Sequence, residues 1–239
     1  HVDKAPPKMQ SLPWSELVAT TPTAGVERSI SAIGPKTVGK FLFTSGSTGP
    51  AKGVTHTHDT LGWMCASAAA AFELTPDDAF LPGSSMSHVG SFMWTFATLA
   101  AGARVVLARS WEAEAMLPLL RAERPTILAM LPVALAALVR DPGASAADFA
   151  SLRLCRAGAD KVSLELEDEF THLAGMPIDE GYGMTEVGIA TLNPPSGTIK
   201  RGSIGRPVPG VAIAVRDDAG AEAPPGTVGR VWIRTRSRM

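Results

Sequence analysis

Between about residue 40 and about residue 190, short apolar runs alternate with longer stretches whose apolar positions recur at helical spacing. Phe41 to Thr44, Ala79 to Leu81, Ala103 to Ala108, Thr126 to Met130, Leu152 to Arg156 and Met176 to Glu180 read as strands. The alanine-rich stretch from His58 to Phe72, the apolar one from Val89 to Ala101 and the amphipathic one from Glu112 to Glu123 read as helices. So do Pro132 to Arg140, which opens on proline, and Ser163 to Leu173, with Ser163 as N-cap. Alternating strands and helices predict an α/β fold, a mainly parallel sheet flanked by helices. Residues 1–35 carry Pro6, Pro7, Pro13, Pro22 and Pro35 and little periodicity, which predicts an extended lead-in. After Asn193 prolines and glycines become dense, and Val211 to Arg216 and Val228 to Arg234 alternate like antiparallel strands. A smaller β-rich, barrel-like subdomain is therefore expected from about Gly197.

Composition narrows the class. The 239 residues are enough for one large domain or two small ones, and 45% hydrophobic with 19% charged suits a globular protein. With 22 Lys and Arg against 23 Asp and Glu there is no basic stripe, so no nucleic-acid partner is expected. Cys65 and Cys155 lie far apart, which predicts neither a disulfide framework nor a cysteine metal site and suits a reducing, cytoplasmic setting. The richest apolar stretch, Thr126 to Val139, is too short for a membrane span and contains Pro132. No signal peptide is read at the start, and the chain is expected to be an excerpt of a longer protein.

The chemistry is concentrated in a few segments. Residues 44–54, Thr-Ser-Gly-Ser-Thr-Gly-Pro-Ala-Lys-Gly-Val, follow the apolar Phe41-Leu42-Phe43. Glycines let successive N–H groups turn inward into an anion-binding nest, and Lys52 adds a mobile positive charge that can reach outer phosphates. The alternative is a plain Gly/Ser surface loop. The spacing fits neither a Walker A loop nor a dinucleotide fingerprint. Glu180-Gly181-Tyr182-Gly183-Met184-Thr185-Glu186 follows a strand, where binding residues collect in parallel sheets. Tyr182, the only tyrosine, offers a platform for a ring, Thr185 a hydroxyl and Glu186 a hard ligand suited to Mg²⁺; a tight turn with an exposed tyrosine is the other reading. Arg156-Ala157-Gly158-Ala159-Asp160, at another strand end, would let a flat ligand approach the backbone, or is an ordinary loop. Ser87-His88-Val89-Gly90 opens an apolar helix with Phe92, Met93 and Trp94, and His88 could line a pocket or move a proton, or simply fill the helix start. His1, His56, His58 and His172 read as surface or local-structure residues. Gly202 to Gly210 reads as a turn-rich connection without chemistry.

Together these segments resemble the adenylate-forming superfamily: acyl-CoA synthetases, luciferases and the adenylation domains of peptide synthetases. The likeness runs from Phe41 to about Arg234, carried by the Thr-Ser-Gly-Ser-Thr-Gly loop, the Gly-Tyr-Gly-Met-Thr-Glu run and Gly-Ser-Ile-Gly-Arg-Pro. The His88 segment and the Gly-Tyr-Gly-Met form look more like the acyl-CoA synthetases. The resemblance implies a two-step reaction, in which a carboxylate attacks the α-phosphate of ATP and coenzyme A then displaces AMP. It implies that Thr44, Ser45, Gly46, Ser47, Thr48, Gly49 and Lys52 hold the outer phosphates. Tyr182, between Gly181 and Gly183, would stack on adenine, Glu180 would accept from its amino group, and Gly158 and Ala159 would flank the base. Thr185 would contact the α-phosphate, Glu186 would hold Mg²⁺, and His88 would sit between the acyl pocket and the thiol path. It divides the chain into a lead-in and phosphate-loop segment, 1–60, a second α/β subdomain with the adenine and acyl pocket, 61–195, and the start of a β-rich subdomain, 196–239.

Two departures stand out. Ala159-Asp160-Lys161 replaces the family's usual Ala-Pro-Leu and would put the Asp160 charge near the pocket, and Arg156 replaces a small polar residue. The family's ribose-binding acidic residue and its C-terminal lid domain, with a catalytic lysine, are expected beyond Arg234. Two other readings remain beside the coenzyme A ligase: a non-catalytic nucleotide-binding relic, and an adenylation domain loading a carrier protein. Phe92, Met93 and Trp94 suggest an apolar acid, aliphatic or aromatic, and homo-oligomers are possible.

Overall fold

A computed structural model describes residues 13–45 and 49–239. The chain forms two compact units, His1–Thr37 and Val38–Met239. In the first, helices α1 (Trp14–Ala19) and α2 (Ala24–Ser31) replace the expected extended lead-in. Their starts explain this: α1 follows Pro13, the Thr23 hydroxyl accepts from the Val26 N–H, and Glu16 and Glu27 sit in the first turns, where the helix dipole favours them.

The second unit opens with a hairpin, β1 (Val38–Thr44) and β2 (Lys52–Thr57), and then helix α3 (His58–Ala71). Strand β3 (Ala79–Gly83), helix α4 (Val89–Ala100), strand β4 (Arg104–Val105), helix α5 (Ala113–Glu123) and strand β5 (Ile127–Met130) come next. Then follow α6 (Pro132–Val139), α7 (Ala146–Phe149), β6 (Leu154–Ala157), α8 (Leu164–Ala174), β7 (Ile178–Met184) and β8 (Gly188–Leu192). The unit closes with β9 (Arg206–Pro207), β10 (Val211–Arg216) and β11 (Arg230–Thr235). Among the described residues the main sheet runs β4-β3-β5-β6-β7-β8-β9, parallel from β4 to β7 and antiparallel from β7 to β9. The mainly parallel α/β fold is thus as expected, with β10 and β11 pairing as the alternation at 211–234 predicts.

Consecutive strand residues feed opposite layers, as a pleated strand requires. Phe80, Ile127 and Leu154 pack with Met64, Ala68, Phe72, Met93 and Trp94 of the α3–α4 layer. Their neighbours Leu81, Leu128 and Cys155 pack with Met116, Leu120, Leu135, Leu138 and Phe170 of the opposite helical layer. Both faces being covered, these strands read as continuous apolar runs. The expected strand at 103–108 shortens to Arg104–Val105, because it is the sheet edge and its ladder ends where the Val106 N–H meets the Phe80 carbonyl. Phe41-Leu42-Phe43 is not part of the parallel sheet: β1 pairs antiparallel with β2, burying Leu42 and leaving Phe41 and Phe43 exposed.

The N-terminal ends of the parallel strands are tied by charge. Asp78, 3% exposed, accepts from Arg153 at 2.7 and 2.8 Å and from the Thr126 hydroxyl at 2.7 Å. Burial pushes its carboxyl up, but Arg153, Thr126 and the Thr75 N–H outweigh that and bring it down to about 2. At the opposite, C-terminal ends lie two further charged pairs, Arg156 with Asp179 and Lys161 with Glu180, and there the strand ends leave room for a cavity.

Candidate active site

A cavity of about 340 Å³ opens at the C-terminal ends of β3, β5, β6 and β7, within the range of small-molecule sites. Ser84 follows β3, Leu131 follows β5, Gly158 and Ala159 follow β6, and Gly181, Gly183 and Met184 belong to the end of β7. His88 and the first turns of α4, including Ser91, Met93 and Trp94, form another wall. Ala159 holds φ +69°, the left-handed region that a non-glycine residue enters only under local constraint, at the point where the chain leaves β6.

The turn between β7 and β8 carries Thr185 and Glu186, and three distant residues pin it. The Thr185 carbonyl accepts from His56 Nε2 at 2.8 Å, the Glu186 carbonyl from the Met239 N–H at 3.0 Å, and the Val187 carbonyl from the Ser237 hydroxyl at 2.6 Å. Nε2 of His56 is the donor here, since a carbonyl only accepts. With three consecutive carbonyls fixed, the side chains of Thr185 and Glu186 are presented on a rigid support. Neither side chain makes a hydrogen bond or ion pair among the described residues, and both are half-buried. Thr185 lines the cavity.

His56 is the residue that sequence reasoning missed. Read as surface or local, it is fully buried on β2, and its Nδ1 lies 3.3 Å from the Thr60 hydroxyl. It joins the hairpin of the Gly-rich loop to the Thr185 turn, across 129 positions. The signal was present only as alternation: Val54 and His56 are the inward positions of β2. Thr44 and Lys52 face each other across the hairpin and bracket the loop. Ser45, Gly49 and Lys52 are exposed, while Gly46, Ser47 and Thr48 lie outside the described residues.

Other expected residues are placed differently. Glu180 is buried, and both of its carboxylate oxygens accept from Lys161, at 2.7 and 2.9 Å. Asp160 is exposed and bonds the Lys161 N–H, so its charge does not line the cavity. Tyr182 is half-buried between Gly181 and Gly183, and it is those glycines, not its ring, that line the cavity. Met93 and Trp94 are cavity residues, but Phe92 lies under the Lys40 ammonium at 3.6 Å and beside Phe96. In the turn-rich stretch from Gly202 to Gly210, Gly205 has φ +82° and passes so close to the Leu192 and Asn193 backbone that a Cβ would collide.

Arg156, which lines the cavity, and Asp179 form a buried pair, 6% and 0% exposed, with Nη1 and Oδ2 3.8 Å apart. Burial pushes the guanidinium down to about 10 against the pull of Asp179, so it stays charged at neutral pH. Burial pushes the Asp179 carboxyl up, against the pull of Arg156 and of Asn193, which donates to Oδ1 from its N–H and from Nδ2. Among the described residues no cluster of three His, Cys, Asp or Glu side chains could hold a metal by itself.

The sequence model described as "AMP-binding enzyme" matches residues 2–239. The chain is 32% identical over 205 residues to an indoleacetate–CoA ligase of Aromatoleum aromaticum, covering 84% of this chain and 40% of that protein. It is equally 32% identical, over 214 residues, to the fatty acid–[acyl-carrier-protein] ligase ScoC of Streptomyces coeruleorubidus, covering 86% of this chain and 41% of ScoC. Among solved structures, ATP-bound MatB from Rhodopseudomonas palustris superposes with a TM-score of 0.79 at 28% identity, covering 86% of this chain and 41% of MatB. A benzoate CoA ligase from Burkholderia xenovorans does so at 0.77 and 28%, covering 87% of this chain and 42% of that one. The chain thus spans about 40% of the length of these relatives.

Proposed function

The chain belongs to the AMP-binding enzyme family, and from that premise we propose that the protein it comes from activates a carboxylic acid with ATP and passes the acyl group to coenzyme A. The observation that carries the reading is the pinned turn: Thr185 and Glu186 are held by their backbone beside a cavity at the strand ends, with their side chains unspent among the described residues. In the first step the acid's carboxylate oxygen attacks the α-phosphorus, the bond to the bridging oxygen breaks, and pyrophosphate leaves. In the second the thiol sulfur attacks the acyl carbon and AMP leaves with the electron pair of its C–O bond. Such chemistry asks the protein chiefly to position groups and stabilise charge. Thr185 donates its hydroxyl to an α-phosphate oxygen, and the backbone of Gly158 and Ala159 flanks the base. Lys52 and the loop it follows face the pyrophosphate that departs. His88, at the mouth of α4, stands between the acid and the incoming thiol.

Glu186 fits a magnesium ion bound with the nucleotide, since Mg²⁺ takes one or two carboxylates and completes its shell with phosphate oxygens and water. When bound, the ion neutralises phosphate charge. The relation to ScoC favours a second reading for the acceptor, in which the thiol belongs to an acyl-carrier protein. The test is pyrophosphate exchange into ATP by the full-length protein across aliphatic and aromatic acids, followed by transfer to coenzyme A or to a carrier protein. Acid-dependent exchange is expected, with thioester formed on coenzyme A. No exchange with any acid would remove the ligase reading, and transfer to the carrier alone would replace the acceptor.

A further inference from the structure

One charged group at the cavity has no part in the chemistry above. Arg156 lines the cavity from β6, yet is only 6% exposed. Its guanidinium lies against Gly181 so closely that a Cβ there would collide with both terminal nitrogens, and Nη2 is 3.6 Å from where a Cβ of Gly158 would stand. The stacked rings of Phe72 and Trp94 lie to one side of the cation, whose carbon is 5.9 and 5.6 Å from their centroids, at the edge of the stack.

The donors of this guanidinium are unfilled. Nη1 is sealed from solvent and donates to nothing among the described residues. The nearest acid atom, Asp179 Oδ2, is 3.8 Å away, beyond hydrogen-bonding reach, and is itself without a partner. Nε and Nη2 also make no hydrogen bond among the described residues, but they are not sealed as Nη1 is. Of the two, Nη2 lies beside Gly158 and Gly181, both of which line the same cavity. A buried cation with open donors is costly unless something fills them. Asp179 supplies an opposite charge without taking those donors, so the site offers N–H groups with little net charge. That combination suits a neutral acceptor. A second carboxylate would be desolvated beside a carboxylate that already faces the same cation.

We propose that Arg156 determines acyl specificity: the pocket takes an acid whose body carries a neutral hydrogen-bond acceptor, such as a hydroxyl, methoxy or keto oxygen, bound by the open edge of this guanidinium. This rests on the ligase reading above. It is tested in the full-length protein by acid-dependent pyrophosphate exchange in two matched series, benzoates and 3-phenylpropanoates. Each series contains the unsubstituted parent, its ring hydroxyl, methoxy and acetyl derivatives, and its dicarboxylic derivative. Loss of Arg156 alone would strand Asp179, so two variants are compared with wild type. Arg156→Lys keeps a cation beside Asp179 but loses the planar fork. The double variant Arg156→Met with Asp179→Asn removes both charges. In wild type, kcat/KM for the best acceptor-bearing acid is expected to exceed that of its parent by about 10- to 100-fold, the range of a hydrogen bond to a charged group. In both variants that ratio falls to about 1, whatever the absolute rates. Wild-type preference for the parent or for the dicarboxylic acid overturns the inference, and so does a ratio unchanged in both variants. Exchange without acceptor preference refutes this inference alone, whereas no exchange with any acid refutes the ligase reading and this inference with it.

Discussion

Replacing His56 by leucine would sever the one hydrogen bond that leads directly from β2 to the Thr185 carbonyl. Its imidazole is fully buried and spans a 2.8 Å bond to that carbonyl and a 3.3 Å approach to the Thr60 hydroxyl. Leucine fills similar volume but leaves the carbonyl without its donor, which costs about 1–3 kcal/mol, and the lost Thr60 contact adds about 1 kcal/mol at most. For a unit of this size that corresponds to a fall in Tm on the order of 5–10 °C. The catalytic effect should exceed the effect on nucleotide affinity, because Thr185 is placed by this bond rather than made by it. A shift of about 1 Å in a reacting geometry costs on the order of 100-fold in rate. The assay is acid-dependent pyrophosphate exchange at saturating ATP, with thermal unfolding of the same samples. His56→Leu should lose about 10- to 100-fold in kcat, and His56→Gln, which keeps a donor, should recover part of it. A His56→Leu protein with wild-type kcat and Tm would refute the reasoning, as would a glutamine variant no better than leucine.

Asp78→Asn should destabilise the protein by about 2 kcal/mol at pH 6, from a carboxyl brought from 3.8 down to about 2. Because the folded value is the lower one, this stabilisation is complete above about pH 4 and disappears as the pH falls through 2. Urea unfolding of wild type and variant should therefore converge at the acid end, and a constant offset would contradict the assignment. Lys52→Ala should raise KM for ATP in the exchange assay by about 10-fold, as expected for losing a hydrogen bond to a charged group; an unchanged KM would take Lys52 out of phosphate binding. Glu186→Gln should shift the Mg²⁺ titration of exchange to higher concentration, and an unchanged titration would remove Glu186 from metal binding.

How much of this was legible in the sequence depended on range. The parallel strands were visible because both of their faces are buried, so Phe80-Leu81, Ile127-Leu128 and Leu154-Cys155 read as apolar pairs without knowledge of partners. Ser163 was legible as a cap because its hydroxyl acts three residues away, on the Leu166 N–H. Local signals also misled where composition outweighed caps: the prolines before residue 36 hid two short helices. The hairpin was missed because β2, Lys52–Thr57, is polar on its exposed face and buries little besides Val54 and His56. Lys161 looked like a departure from a family pattern, and only the fold showed that it neutralises Glu180, 19 positions later.

The site residues that remained invisible share one property: their partners lie across the sheet or far along the chain. β7 is the strand at which the sheet changes direction, parallel to β6 and antiparallel to β8. A chain that reverses there must expose several carbonyls in one tight turn, at the edge where the parallel strands also end. Buried carbonyls need donors, and the turn itself has few to give. The donors therefore come from Met239 and Ser237 on one side and His56 on the other. Ser237 and Met239 follow β11, whereas His56 belongs to the hairpin that carries the Gly-rich loop. The same bond that satisfies a carbonyl thus ties the hairpin to the Thr185 turn, the two halves of the site proposed above. A motif search finds both halves and cannot find the histidine, because its identity is fixed by a carbonyl, which every residue has.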